Sequence, residues 1–401
     1  MKTVKWFFIR PFDTLFFRDA RPFSAGQDNL AQSVFPPAPS TTYGAVRTAS
    51  LIQAGVDLVK FKADEVKNLP PAVGNKMQFG SLHLTGPILA RREPSGVCLL
   101  FLSPLNLVYE EGSRERRLEF LIQDESSQNT VANGSQYTNL PLPLNLFVPE
   151  DRVTYADRYL TFDQALALLC GIVPDKLDNL ISKESLWKAD NRVGIAQNKA
   201  RSAEEGMLYS SQHIQINNHP GNINRVGGLA IKVIEGKDSL PSNGIIQLGG
   251  EKRFCEFQEI SVAQPTKFQI ELIAEKILKN SRFFFWLISP AVFSNDEYPF
   301  IPGFIDHHTL KGKLDDQQVE LVACQIGRSV GIGGWNIVDN VPKPMRRAVP
   351  PGSIYFFKLT NGGKSEEQIK QFVERWMLYP LPGQKSDYDK QGFGTILIGG
   401  Y

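Results

Sequence analysis

The residues of this chain best suited to chemistry are glycines set beside cations. Glycines cluster at Gly249-Gly250, at Gly327, Gly331, Gly333 and Gly334, and at Gly392, Gly394, Gly399 and Gly400. Each cluster adjoins strand-like sequence. Glycine lacks a Cβ and tolerates positive φ, so a bulky anion can approach main-chain N–H groups there. Plain tight turns are the alternative reading of each cluster. Charge shifts the balance toward anion binding. Arg253 follows the first cluster, Arg328 precedes Gly331, and Lys343, Arg346 and Arg347 come next. Between Leu321 and Thr360 five basic residues (Arg328, Lys343, Arg346, Arg347, Lys358) stand against one acid, Asp339. The whole chain carries 44 Lys plus Arg and 42 Asp plus Glu, a formal net charge of +2. That balance excludes a uniformly basic nucleic-acid binder and makes the local excess a candidate phosphate track. Trp335 within it could stack on a base, with core packing as its commoner fate.

A second candidate lies near the amino end. In Phe16-Phe17-Arg18-Asp19-Ala20-Arg21-Pro22-Phe23, Arg18 and Arg21 sit between aromatics. Downstream, Ser40-Thr41-Thr42-Tyr43-Gly44-Ala45-Val46-Arg47 opens a helix, with Ser40 or Thr41 as the expected cap. A helix start offers orphan N–H groups and a positive dipole end to a phosphate. Asp13 and Asp19 could instead pair with these arginines and make the segment structural. Both readings stay open.

Other chemistry is poorly served. The histidines are His83, His213, His219, His307 and His308. The adjacent pair would point to opposite sides of a strand and does not chelate as an i, i+4 helical pair does. Neither HExxH nor a Walker sequence occurs. Gly327-Arg328-Ser329-Val330-Gly331 matches GxSxG in letters, but poor helix sequence follows the serine, where a nucleophile elbow needs a helix. The GxGxxG fingerprint fails at Asn336 and again at Leu397, which disfavours a dinucleotide site. Cys98, Cys170, Cys255 and Cys324 contain no CxxC pair, so they read as reduced cysteines, with no metal site and no cofactor expected. The longest strongly apolar run, Phe283 to Phe293, is too short to span a bilayer, and the start is too short for a secretory signal. A cytoplasmic protein is expected.

The elements that must position these residues read as α+β. Lys2 to Ile9 is aromatic and β-branched, as a buried first strand should be. The first helix closes at Gly55, and its Ala45, Val46, Ala49 and Ile52 fall on one arc. Strand-like segments recur at 78–84, 98–102, 208–216, 229–234, 282–293 and 353–357. Thr161 to Gln164 and Ser365 to Gln368 are capping boxes. The second opens a helix that buries Ile369, Phe372, Val373 and Trp376 at i, i+3, i+4, i+7 spacing. Residues 110–119 are dense in charge and 128–149 are polar, then Pro-rich, as a protruding hairpin and a connector would be. Two units, 1–190 and 191–401, suit the length of 401 residues.

Longer stretches carry a resemblance. Pro11-Phe-Asp-Thr-Leu-Phe-Phe-Arg-Asp-Ala-Arg-Pro-Phe23 with Val34-Phe-Pro-Pro-Ala-Pro-Ser-Thr-Thr-Tyr-Gly-Ala-Val-Arg47 closely resembles the opening of the third-subunit family of the Cmr complex, the type III-B CRISPR effector. These are RAMP proteins. The resemblance continues through Glu204-Glu-Gly-Met-Leu-Tyr-Ser210, Leu248-Gly-Gly-Glu-Lys-Arg253, Ser289-Pro-Ala-Val-Phe293, Gly331-Ile-Gly-Gly-Trp-Asn336, Lys343 to Ser353 and Gly392-Phe-Gly394. It implies a pair of ferredoxin-like, RRM-related domains whose glycine-rich loops grip RNA. It implies a non-catalytic subunit that holds the 5′ repeat-derived handle of the CRISPR RNA. Its partners would be the large polymerase/cyclase-like subunit and the first backbone RAMP subunit. A thumb hairpin is expected near 91–117. The competing reading is a metal-independent endoribonuclease of the same superfamily. Such an enzyme usually needs a histidine near the first strand and helix. Positions 1–60 hold none, though a Tyr/Lys or Ser/Lys arrangement around Tyr43 remains conceivable.

Overall fold

A computed structural model describes residues 4–19, 30–76, 78–112, 114–122, 153–197, 203–217, 226–336, 341–362 and 364–401. Arg21 and the connector 123–152 lie outside them. The chain is mixed α and β, rich in strands and with few helices. It divides into two compact units that interleave along the sequence. One gathers 1–98, 183–262 and 331–346; the other gathers 99–182, 263–330 and 347–401. This differs from two sequential halves. Apolar periodicity is local, whereas strand partners here lie hundreds of residues apart.

In the first unit Lys5–Pro11 is the strand around which the sheet is built. It pairs antiparallel with Val226–Glu235 on one side and Phe254–Ile260 on the other. His83–Glu93 extends the sheet beyond the former, and Asn243–Gln247 beyond the latter. With ladders on both edges and Trp6, Phe7, Phe8 and Ile9 all buried, the strand reads as a continuous apolar run. The helix Pro39–Gln53 covers the face that carries Phe7 and Ile9, through Val46 and Ala49. Its buried residues are Pro39, Thr42, Tyr43, Val46, Ser50 and Leu51. Ile52, expected on the inner arc, is exposed. The helix opens at Ala38 with proline in the first turn and no side-chain cap. Neither Ser40 nor Thr41 is the cap. Proline there has no N–H to satisfy, which lowers the need for one.

The same unit holds the long hairpin of Trp187–Gln197 and Ala203–Ile216. The segment expected as a thumb is built differently. Arg91 and Arg92 end the strand His83–Glu93, a Pro94-Ser95 turn follows, and Gly96–Leu102 begins directly. Leu107–Glu110, Leu118–Phe120 and Val153–Tyr155 then form a small three-stranded sheet in the second unit.

The second unit's main sheet is centred on Arg282–Leu287, flanked by Ile354–Leu359 and Thr395–Gly400. Phe283, Phe284, Phe285, Trp286 and Leu287 are all buried. Phe283 stacks on Phe357 at 5.1 Å and meets Phe372 edge-on at 5.4 Å. The helices Lys267–Asn280 and Glu366–Trp376 pack on each other and on Thr395–Gly400. Both start in capping boxes, Thr266–Gln269 and Ser365–Gln368.

Candidate nucleic-acid interface

The glycine–cation track leaves the second unit at Val330, runs through the first unit over 331–346, and returns. Within that arm Trp335–Asn336 pairs antiparallel with Val341–Pro342. Gly334, at φ +147°, accepts the Lys343 N–H at 2.9 Å and closes the ribbon. The strand is too short to bury anything. Trp335 is 51% exposed, and Val341 and Met345 are exposed beside it. Gly331, Lys343 and Arg346 are exposed, and Gly333 is half-buried.

Among the described residues of the arm the charge is one-sided. No carboxylate among the described residues pairs with Lys343 or Arg346. Burial first, and the Arg47 guanidinium second, push the Lys343 ammonium below its usual range. Lys343 is exposed by surface area, yet protein crowds its charge. Arg47 sits where its helix meets the loop 73–79. Its Nε donates to the Val73 carbonyl at 3.0 Å and its Nη2 to the Asn75 carbonyl. Its guanidinium lies 5.6 Å from the Phe61 ring centre and 5.1 Å from that of Phe79. These contacts hold Arg47 in place without cancelling its charge. An exposed indole on an arm whose Lys343 and Arg346 have no described carboxylate partner suits a nucleic-acid strand, whose phosphates neutralise lysine and arginine while a base stacks on the indole.

The remaining expected residues fall in different settings. Arg328 and Arg347 are exposed in the second unit and have no carboxylate partner among the described residues. Arg18 is exposed and its backbone bridges to Ser33. Tyr43 is in the core. Its hydroxyl donates to the Leu82 carbonyl at 3.2 Å and its ring meets Phe79 at 5.1 Å. Ser40 and Thr41 are half-buried, and Thr42 is buried with its Oγ1 unpartnered. The Thr41 N–H is spent on the Ala38 carbonyl.

Two glycine clusters are shaped by packing. A Cβ on Gly250 would stand 2.9 Å from the Phe16 ring, and the Gly250 N–H donates to the Phe16 carbonyl at 2.8 Å. Gly249, at φ +82°, is pressed on Phe16 and Phe17. Gly392 and Gly394 are buried in a turn at φ +95° and +66°. Their N–H groups donate to the Asp389 and Pro290 carbonyls, and the Gly392 carbonyl accepts from Ser289 Oγ and Thr395 Oγ1. The N–H groups of Gly250, Gly392 and Gly394 are therefore spent within the protein rather than open to a ligand. Arg253, beside the first cluster, is tied to Asp13 at 2.7 Å, a different partner from the Arg18 and Arg21 considered for Asp13 above.

Residues 7–401 match the family model described as CRISPR-associated protein (Cas_Cmr3). The chain belongs to this CRISPR-associated family. No curated protein matches it. Among solved structures it resembles a chain of the type III-B Cmr-beta complex bound to cognate target RNA, studied by electron cryomicroscopy. The identity is 15%, covering 98% of this chain and 96% of that one, at a TM-score of 0.49. It also resembles a chain of the same complex bound to cognate target RNA and AMPPnP, at 16% identity, 92% and 88% coverage and a TM-score of 0.44.

Proposed function

We propose that this chain is an RNA-holding, non-catalytic subunit of a type III-B Cmr effector complex in antiviral defence. In this reading it grips the repeat-derived 5′ handle of the CRISPR RNA. It also docks the large polymerase/cyclase-like subunit onto the first backbone RAMP subunit, in the cytoplasm. The observation that carries the proposal is the arm 331–346. It carries an exposed tryptophan together with Lys343 and Arg346, which have no described carboxylate partner, in a chain of net charge +2. Such a surface binds phosphate and base planes together and is of little use to a metabolite.

Each unit reads as a variant of the ferredoxin-like fold, an antiparallel sheet with helices on one face. The long hairpin Trp187–Gln197/Ala203–Ile216 is then the better candidate for a thumb. The endoribonuclease reading is weakened by Tyr43. Its hydroxyl is buried and engaged with a carbonyl, so it does not reach a 2′-hydroxyl or a leaving group. The test is incubation of the full chain with repeat RNA, with and without divalent metal, followed by a binding assay on handle-bearing and unrelated RNA. Intact RNA and preferential retention of the handle are expected. Cleavage that survives repurification would contradict the proposal, and so would equal binding of both RNAs.

A further inference from the structure

Two arginines of the first unit converge on a single carboxylate oxygen. Arg253 ends the turn after Gly249-Gly250, and Arg192 stands on the strand Trp187–Gln197. Arg253 Nη1 lies 2.7 Å from Asp13 Oδ2, and Arg192 Nη2 lies 3.9 Å from the same atom. The Asp13 side chain is 62% exposed while that of Arg253 is 20% exposed. The Arg253 Nε–H is buried and has no partner among the described residues. Lys252, the adjacent residue, is exposed and has no carboxylate partner among the described residues.

The other two carboxylates here are held by their own elements. Asp190 lies two residues from Arg192 and takes both its Nε, at 3.0 Å, and its Nη2, at 2.9 Å. Glu251 stands 3.4 Å from Arg253 Nη2 and also 3.2 Å from Nε2 of the buried His213. His213 is itself fixed, with Nδ1 3.3 Å from Thr14 Oγ1 and its ring stacked on Phe16 at 5.1 Å. Among the described residues Asp13 pairs only with the two arginines. It is an exposed carboxylate filling a fork between two guanidinium groups.

A phosphate fits that fork better than a carboxylate does. It brings more acceptor oxygens, so Nη1 of Arg253 and Nη2 of Arg192 can each take one of their own. Asp13, Asp190 and Glu251 balance Arg192, Lys252 and Arg253, so an incoming anion gains net attraction only when Asp13 leaves. We propose that Arg192 and Arg253, with Lys252 alongside, form a phosphate-binding site that Asp13 occupies in the unliganded chain. The ligand chemistry is a phosphate group, from an RNA backbone or from free phosphate. The site uses none of the residues of the 331–346 arm. It rests on the RNA-holding reading only for the first of these sources.

The test titrates inorganic phosphate, and separately an oligouridylate, into the full chain as wild type, Asp13→Asn, and Asp13→Asn with Arg192→Ala. Thermal melting verifies folding. Asp13→Asn should bind inorganic phosphate roughly five-fold more tightly than wild type, the size of one modest ion pair. Adding Arg192→Ala should abolish the gain. A parallel gain for the oligouridylate identifies RNA as a source; a gain for phosphate alone supports the site with free phosphate as its ligand. A folded Asp13→Asn chain with wild-type affinity for phosphate overturns the proposal, as does a gain that survives Arg192→Ala. In either case wild-type RNA binding still reports on the arm independently. Should Asp13→Asn not fold, Arg192→Ala alone decides. It should weaken phosphate binding, and unchanged binding overturns the site.

Discussion

At the scale of single residues, exposure separates those that hold the fold from those that meet a ligand. Trp335 is half in solvent, whereas Trp6, Trp187, Trp286 and Trp376 are buried. Replacing Trp335 with alanine should weaken single-stranded RNA binding by about 1–3 kcal/mol, the usual worth of one base–aromatic stack. The melting temperature should stay within a degree or two. A large fall in melting temperature would place the indole in the core after all. His213 is the reverse case. Burial, opposed by the nearby Glu251 carboxylate, lowers its pKa below the ordinary 6.5. As pH falls the unfolded chain therefore takes this proton first. The stability tied to a neutral His213 is complete above about pH 6.5 and is lost as pH drops through that value toward the lower folded pKa. Melting scans at pH 7 and pH 5 should show a loss for wild type that is smaller for His213→Gln. Equal losses would contradict this role. The cation excess around Lys343 was legible from the sequence, because counting charges needs no geometry. The burial of Tyr43 was not, since its neighbours Leu82 and Phe79 are distant in sequence.

At the scale of elements, the sequence spoke clearly wherever the signal was local. The capping boxes at Thr161 and Ser365 are present, and Ile369, Phe372, Val373 and Trp376 are buried as their spacing implied. The first helix was located but its inner face was misjudged. Thr42, Tyr43 and Ser50 face inward, and a scan for aliphatic residues passes over them. The helix Lys267–Asn280 is faint in the sequence, although Thr266 and Gln269 form a capping box. Its charged residues dilute the apolar stripe of Ile270, Ile273 and Ile277. Glycine loops gave the most ambiguous signal, since a gripping loop and a packed turn share a composition. The turn at Gly392 and Gly394 is the packed kind. A Cβ at Gly394 would run into the Gln384 amide, and φ +66° disfavours any L side chain. Gly394→Val should cost about 1–2 kcal/mol from the backbone alone. It should lower the melting temperature of the chain and reduce RNA binding only in proportion to the unfolded fraction. A variant that melts normally yet loses RNA would show the loop to be a contact.

At the scale of the whole molecule, the chain passes between its two units several times, and no linker marks the crossings. Lys5–Pro11 finds its partners at Val226–Glu235 and Phe254–Ile260. A boundary near residue 190 was the simplest reading of length and composition, and neither quantity records such pairings. The arm 331–346 is one of these crossings, so the surface assigned to RNA is carried by a segment surrounded in sequence by the other unit. The account stands on that arm as a phosphate-contacting surface. The most direct measurement is the salt dependence of single-stranded RNA binding by the full chain, comparing wild type with Lys343→Ala/Arg346→Ala. Each phosphate contact on a single strand contributes about 0.7 to the slope of log affinity against log salt. The account predicts a slope shallower by roughly 1.4 in the double variant, with weaker binding across RNA sequences and an unchanged melting temperature. An unchanged slope in a folded double variant would contradict it.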